Sequence, residues 1–587
     1  MRARPLPADT PDHRRLTART PACARPPATS LVIATVTARA KLMMPWCLVM
    51  VCLTAACADD RATANSQANA RAIAAAGNPS PASFRLQVDS INAHLEHRWQ
   101  ADGVTPADVC DDRTFARRVY LDLAGRIPSV AELRAFEADG RADKHDALIE
   151  LLLHSEDSVQ HFTDVFDALL MGRGTPDKYE QRRSSDWRAW LERVFRDNRR
   201  WDEVTREILL ARPREKRDRG LVWFLYERDN KPQDIAEAVA PAFFGIRIEC
   251  AQCHDHMIAD EIEQAHYWGL VAFFNRSANA KSKWGPSVRE SAIGGFSEFA
   301  SLDGSSYPNH LTFFGADTVA EARPAAGVKQ TDEDAFYESA MLPDGNRVPQ
   351  FSRRQQFVDQ IVDGHPLIAR AFVNRVWAMM LGRGIVHPFD EMDSVHEPSH
   401  PELLDWLAAE FRRDYDIRRI VRLIVSCKAY RLQARRPDGV DDPATFAWYL
   451  ERPLTAEQYV RSVQQAVAGE FRNDHQLLVS VRDRLVDVLP DENVTTVKDA
   501  LFLTNNAALN GFLDDSIDGG LLADISQQSS IDEQIDLVFL QVFGRSADPQ
   551  ERQQLEQFLT ASPARAQHRW KLALWAMLTS AEFRFNH

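Results

Sequence analysis

Cysteine is scarce in this chain. Eight in 587 residues cannot staple a fold of this size, and a chain long enough to bury hydrophobic cores has no need of them. Cationic charge is short as well: 70 Lys and Arg against 84 Asp and Glu leave a net charge of −14. No basic field remains to neutralise phosphates, so nucleic acid and anionic lipid are not expected partners. A membrane-spanning run is also lacking. The apolar stretch from Leu42 to Ala56 holds fifteen residues, short of the about 20 that cross a bilayer. No nucleophile elbow, P-loop or dinucleotide fingerprint occurs, and no catalytic residue is assigned. What is present is an ordinary soluble composition, 45% hydrophobic and 26% charged, over a length that implies two or three domains.

The stretch from Leu42 to Ala56 follows Arg39 and Lys41 and ends in small residues before Cys57, the pattern of a secretory signal peptide. Its ending, "LTAAC", resembles a bacterial lipobox, with Thr54 where leucine is usual. Residues 1–57 therefore read as a leader with Cys57 as the lipidation site. The expected location is the cell envelope, as a periplasm-facing lipoprotein or a secreted protein, touching membrane only through a lipid anchor. Residues 58–82 lack aromatics and are rich in Ala, Asn and Ser, which suits a flexible tether.

From there helical periodicity dominates. "WRAWLERVFRDN", "IARAFVNRVWAMMLG" and "PELLDWLAAEFRRDY" place apolar residues three or four apart, as an amphipathic helix requires. Between 276 and 350 the period fails, and Gly, Ser and aromatics mix in "GGFSEFASLDGSSYPNHLTFFG", so an irregular insert with a small hairpin is expected there. The predicted fold is mainly α, a multi-helix two-domain protein: a helical domain over 83–275, the insert over 276–350, and a C-terminal helical domain over 351–587.

One pattern recurs. Val119-Tyr120 to Gly125-Arg126, Val376-Trp377 to Gly382-Arg383 and Val538-Phe539 to Gly544-Arg545 all spell valine, aromatic, four residues, glycine, arginine, and "VFDALLMGR" nearly repeats it. A buried helix stopped by a left-handed glycine explains the spacing. The arginines are expected to cap carbonyls or pair with nearby acids rather than bind a ligand.

Chemistry concentrates in "ECAQCHDHM", residues 249 to 257. Cys250, Cys253 and His254 stand at i, i+3 and i+4, so a helix would present all three on one face. That suits c-type haem: two thiols add across the two vinyl groups, and the adjacent imidazole becomes the proximal iron ligand. With 8 Cys and 17 His in 587 residues, about 0.003 such pentapeptides are expected by chance. Haem c is the cofactor the spacing favours, and secretion agrees with it. Three other readings stay open: a Cys250–Cys253 disulfide, reduced structural thiols, or zinc held by Cys250, Cys253 and His256 with His266 or Asp260 as fourth ligand. A distal haem ligand would come from His266, Met341, Met379, Met380 or Met392, each more often a core or surface residue. A second polar segment, "HPFDEMDSVHEPSHPELLDWL", holds His387, Asp390, Glu391, Asp393, His396 and His400. It invites a metal hypothesis, even metal-dependent hydrolysis. Ser399 and Glu402 match a capping box for the following helix, however, which favours a structured loop.

These stretches together resemble a bacterial family, best known from planctomycetes, that pairs a cytochrome-associated domain of unknown function with a planctomycete-specific C-terminal domain. "FARRVYLDLAGRIPSVAEL", "WRAWLERVFRDNRRWDEVTREIL" and "FFGIRIECAQCHDH" carry the first resemblance. "HPLIARAFVNRVWAMMLGRGIV", "PSHPELLDWLAAEF", "RRIVRLIVSCKAYRLQA", "LFLTNNAALNG" and "SAEFRFNH" carry the second. The resemblance covers about residues 85 to 587. It implies a secreted protein similar to c-type haem proteins through Cys250, Cys253 and His254, with His256 conspicuous and unassigned. The implied partner is a redox protein or a secreted sulfatase-like hydrolase. A non-catalytic helical scaffold for such a hydrolase or an envelope polymer is the alternative. Family members usually continue from this segment into a proline and an aromatic. Met257 and Ile258 stand there instead, so the loop beside a haem would differ.

Overall fold

The computed structural model describes residues 81–587 apart from 230, 326, 470–474, 483–484, 486–487, 490–506, 516–519 and 562–565. The leader, Cys57 and all but the last two residues of the tether lie outside the described residues. Helix Pro81–Asp102 opens the described chain, and helices carry most of it thereafter. The insert contributes two short antiparallel ribbons, Ser277–Ser282 with Gly285–Glu290 and Glu298–Ala300 with Ser306–Pro308. A third pairs Arg452–Pro453 with Phe585–Asn586. The fold is mainly α, as the periodicity indicates.

The recurring glycine-arginine pattern is a helix ending. Gly125, Gly382 and Gly544 close helices Asp112–Ala124, Pro366–Leu381 and Ile531–Phe543 with φ of +68°, +81° and +73°, each donating its N–H to the carbonyl four residues back. Glycine tolerates that left-handed conformation without a Cβ penalty. Gly172, from the near match, has ψ of 176° and leaves the left-handed helical basin. In two copies the arginine has a specific partner. Arg126 binds both oxygens of Glu132 at 2.8 Å, and Arg545 both of Glu551 at 2.7 Å. Those glutamates also close the capping boxes of the next helices, with Ser129 and Asp548. One side chain thus orients the turn and starts the following helix.

Residues 79–587 form one compact unit. Its larger core draws on residues from Phe84 to Tyr449, and a smaller core on residues from Leu454 to Phe583 joined by Leu121 and Ile127. Helix Asp112–Ala124 faces both: Phe115, Val119 and Leu123 enter the first, Leu121 the second. Between them Asp122 is sealed from solvent. Its carboxylate accepts hydrogen bonds from Arg452 at 2.8 and 2.9 Å, Tyr430 at 2.8 Å, Tyr449 at 3.3 Å and Asn586 at 2.8 Å. Arg118, one turn earlier, donates to the carbonyls of Tyr430 and Leu432, and Arg117 to those of Glu582 and Phe583. The C-terminal strand is thereby held against the N-terminal half.

Removing one partner of a buried charge pair leaves the other uncompensated, which costs about 3–5 kcal/mol. Asp122→Ala is expected to lower the urea midpoint by that amount of stability. A loss under about 1 kcal/mol, the worth of a surface pair, would contradict the assignment. Burial also pushes His161 down to about 3 and His400 and His587 down to about 4, from 6.5. The unfolded chain therefore binds protons near pH 6.5 that the native chain refuses, so this contribution is full above pH 6.5 and is lost as pH falls toward 4. Calorimetric unfolding at about pH 5 is expected to take up protons. No uptake would refute it.

Candidate functional site at the Cys-x-x-Cys-His turn

The chain enters the site through a widened turn. Helix Pro232–Val239 passes into a π-turn over Ala240–Phe244, where Pro241 has no N–H to give the ladder. The buried guanidinium of Arg375, from helix Pro366–Leu381, collects the carbonyls of Ala242 at 2.8 Å and Pro241 at 2.7 Å. Gly245 ends the turn at φ +67°, and a Cβ there would lie 2.9 Å from Ala371 Cβ and 3.2 Å from Met392 Sδ. Only glycine fits so close a crossing.

Ile246, Ile248 and Ala251 are fully buried, while Cys250 and Cys253 are exposed and free. The apolar residues pin the strand of chain and turn the thiols outward. The expected α-helix is a single 3-10 turn, Glu249–Gln252, with Cys253 as its cap and His254 just beyond. In a 3-10 turn residues three apart eclipse, so the thiols still belong to one side, and His254 is placed by the loop rather than by a helix face. Gln252 carbonyl accepts from Gln264 Nε2 at 3.1 Å and Trp268 Nε1 at 3.0 Å, which fixes the turn to helix Gln264–Phe274.

Three histidines follow, and their partners decide their tautomers. His254 Nδ1 lies 2.6 Å from the carbonyl of Asp255. A carbonyl only accepts, so Nδ1 carries the proton and the Nε2 lone pair is available. His256 Nδ1 accepts the N–H of Ala259 at 3.0 Å, and His266 Nδ1 accepts that of Glu263 at 3.0 Å. In the neutral ring both then carry their proton on Nε2. Burial pushes His266 further toward that neutral form. His256 staples the loop, assisted by its own N–H to Ile262 carbonyl at 2.8 Å. Zinc ligation by His256 or His266 would require the ring to give up its backbone bond or lose a second proton. The candidates for a distal ligand are scattered: Met341 is exposed, Met392 is buried beneath Gly245, and Met379 and Met380 line a small pocket with Asp122, His161 and Arg452.

The second polar segment lies against this loop. Arg247 pairs with Asp390 at 2.9 and 3.0 Å and with Glu391 at 3.1 Å. Met392 N–H reaches Gly245 carbonyl at 2.8 Å. Ser394 donates its N–H and hydroxyl to Glu261 at 2.6 and 2.7 Å. His396 sits between Asp393, 2.8 Å from Nδ1, and Glu391, 3.0 Å from Nε2. Among the described residues, Glu391, Asp393 and His396 are the group whose ligand atoms come within 4.8 Å of one another, and it includes neither thiol nor His254 nor His256. The capping box expected at Ser399 does not form: its hydroxyl donates to Ile385 carbonyl at 3.2 Å, and His400 precedes helix Pro401–Arg412 without a side-chain cap. The loop is structured by cross-chain contacts instead. Neither Arg247 nor Glu261 is paired with this segment by residue order, whose one hint is an arginine beside the motif and a cluster of acids far along the chain.

Residues 90–279 match the family model PSCyt2, a protein of unknown function (DUF1549), and residues 353–477 match PSD1, a protein of unknown function (DUF1553). The chain carries the PSCyt2 and PSD1 domains of unknown function, in that order. No curated protein and no solved structure matches it. The Cys-x-x-Cys-His turn is part of the PSCyt2 segment and the Asp390–His396 loop part of the PSD1 segment, so the two matched segments meet at the site. Arg247→Met is expected to raise amide exchange in both 249–262 and 388–396. Faster exchange in one loop alone would contradict the coupling.

Proposed function

We propose that this PSCyt2–PSD1 protein is an envelope-located c-type haem protein for one-electron transfer or redox sensing. Cys250 and Cys253 would hold haem c through thioethers, and His254 would ligate its iron. The observation that carries the reading is the state of that triad: two outward, unpartnered thiols in one turn, followed by the one histidine of the loop whose Nε2 lone pair is available. Iron-bound imidazole characteristically gives its other N–H to a carbonyl or carboxylate, and His254 already does so with Asp255. When bound, the haem would supply the one-electron couple, tuned by its axial ligand and surroundings. The chain's own contribution is to hold the turn still through Gln264, Trp268 and the Arg247 clasp. The name PSCyt2 also hints at cytochrome association. Haem attachment of this kind takes place outside the cytoplasm, which accords with export by the leader and lipid anchoring at Cys57, with a redox protein as partner.

The test is a pyridine haemochrome spectrum of the denatured protein after expression with a haem c maturation system. The unaltered chain is expected to keep a covalent haem band. Cys250→Ala and Cys253→Ala each leave one vinyl unsaturated and move the band to longer wavelength, the double variant loses covalent haem, and His256→Ala keeps it. Absence of the band in the unaltered chain, or its survival in the double variant, sinks the reading.

A further inference from the structure

The loop that carries the thiols also carries two large apolar side chains that stand exposed among the described residues. Met257 is 77% exposed and Ile258 60%. The loop is not loose: the His256–Ala259 and His256–Ile262 bonds and the burial of Ala259 and Ile262 hold its shape. Val395, 45% exposed, follows Ser394, which is bonded to Glu261 of the same loop. Exposed apolar residues within a polar rim are the signature of a protein contact.

The rim here has one sign. Glu249, Asp255, Asp260 and Glu263 are all exposed, and among the described residues none forms an ion pair with a Lys or Arg. Elsewhere surface acids are commonly neutralised, as Asp139 by Arg141, Glu156 by Arg196 and Asp202 by Arg200. The one arginine beside the motif, Arg247, is taken by Asp390 and Glu391. Asp255 accepts the Gln264 N–H and Glu263 caps the same helix, while Glu249 and Asp260 have no such bond among the described residues. Carboxylates of one sign beside an apolar centre repel the same face of a second copy, anionic lipid and nucleic acid alike.

We infer that the face formed by Glu249, Met257, Ile258 and Asp260 around the Cys250–Cys253 turn docks a protein with a lysine-rich surface. Resting on the haem reading, this identifies the redox partner as a basic protein whose charged rim surrounds an apolar centre. Such complementarity sets encounter rate and orientation, while the apolar centre limits dissociation.

The probe is a lysine-rich c-type cytochrome, in native form and with its lysines acetylated. Its affinity is measured by titration calorimetry on the haem-loaded chain and on the haem-free Cys250→Ser/Cys253→Ser chain. Native probe is expected to bind both, weakening about tenfold or more between about 0.01 M and about 0.15 M ionic strength, and acetylated probe not to bind. Glu249→Lys/Asp260→Lys, which alters no hydrogen bond of the loop, abolishes binding. Met257→Ser/Ile258→Ser weakens it at both ionic strengths with the salt ratio unchanged. A control pair on exposed acids of the C-terminal helices, Asp524→Lys/Glu556→Lys, leaves it intact. Undiminished binding by Glu249→Lys/Asp260→Lys, equal loss in the control pair, or binding of the acetylated probe overturns the inference. Failure of the unaltered chain to take up haem, with binding intact, would defeat the haem reading alone; haem loading of the unaltered chain without binding would defeat this one alone.

Discussion

An ionised carboxylate withdrawn from water must be charge-paired and hydrogen-bonded on both oxygens, or the fold pays its full desolvation penalty. Asp122 meets that demand with donors from widely separated stretches: Tyr430, Tyr449 and Arg452, and Asn586 near the end of the chain. None of these can supply its bond unless the two cores have already closed on the helix that carries Asp122. The condition is cooperative, and it fixes the N-terminal helices, the 430–452 segment and the C-terminal strand in one arrangement. Arg117 and Arg118, on the same helix, reinforce it by donating to carbonyls of the last residues.

Once those stretches are fixed, the Cys-x-x-Cys-His turn has little freedom. Helix Pro366–Leu381 brings Arg375 to the π-turn carbonyls and Ala371 against Gly245. The loop beyond that helix brings Asp390 and Glu391 to Arg247 and Ser394 to Glu261. The PSCyt2 segment supplies the thiols and the histidine; the PSD1 segment supplies the frame. This division gives a physical reason for the two segments to occur in one chain. Groups on an exposed turn are positioned more exactly when a neighbouring segment supports them from behind, and the loop beyond helix Pro366–Leu381 gives that support here.

Much of this was legible from residue order. The 3.6-residue period located the helices, and the failure of that period at 276–350 located the two ribbons. The glycine-arginine pattern foretold the left-handed endings at Gly125, Gly382 and Gly544, because only backbone freedom explains a glycine there. The thiols and His254 stood out through spacing and rarity. What was hidden belongs to tertiary contact. The 3-10 form of the turn follows from the anchoring of Ile246, Ile248 and Ala251, which overrides the α spacing of Cys250, Cys253 and His254. Ser399 and Glu402 satisfy a capping pattern on paper, yet the helix begins at Pro401 with His400 at the cap position, which leaves Ser399 outside it and donating to the Ile385 carbonyl. The role of His256 could not be read from spacing, since the motif singles out His254 alone and only the Ala259 N–H shows His256 to be a loop staple. Arg247 looks like any charged residue until Asp390 is beside it.

Covalent attachment at Cys250 and Cys253 is tested most directly by the intact mass of the denatured chain. After expression with a haem c maturation system, the account predicts polypeptide plus one haem, with proteolysis leaving the added mass on a peptide that contains both cysteines. An unmodified mass, or one lower by two hydrogens with Cys250 and Cys253 linked, would contradict it.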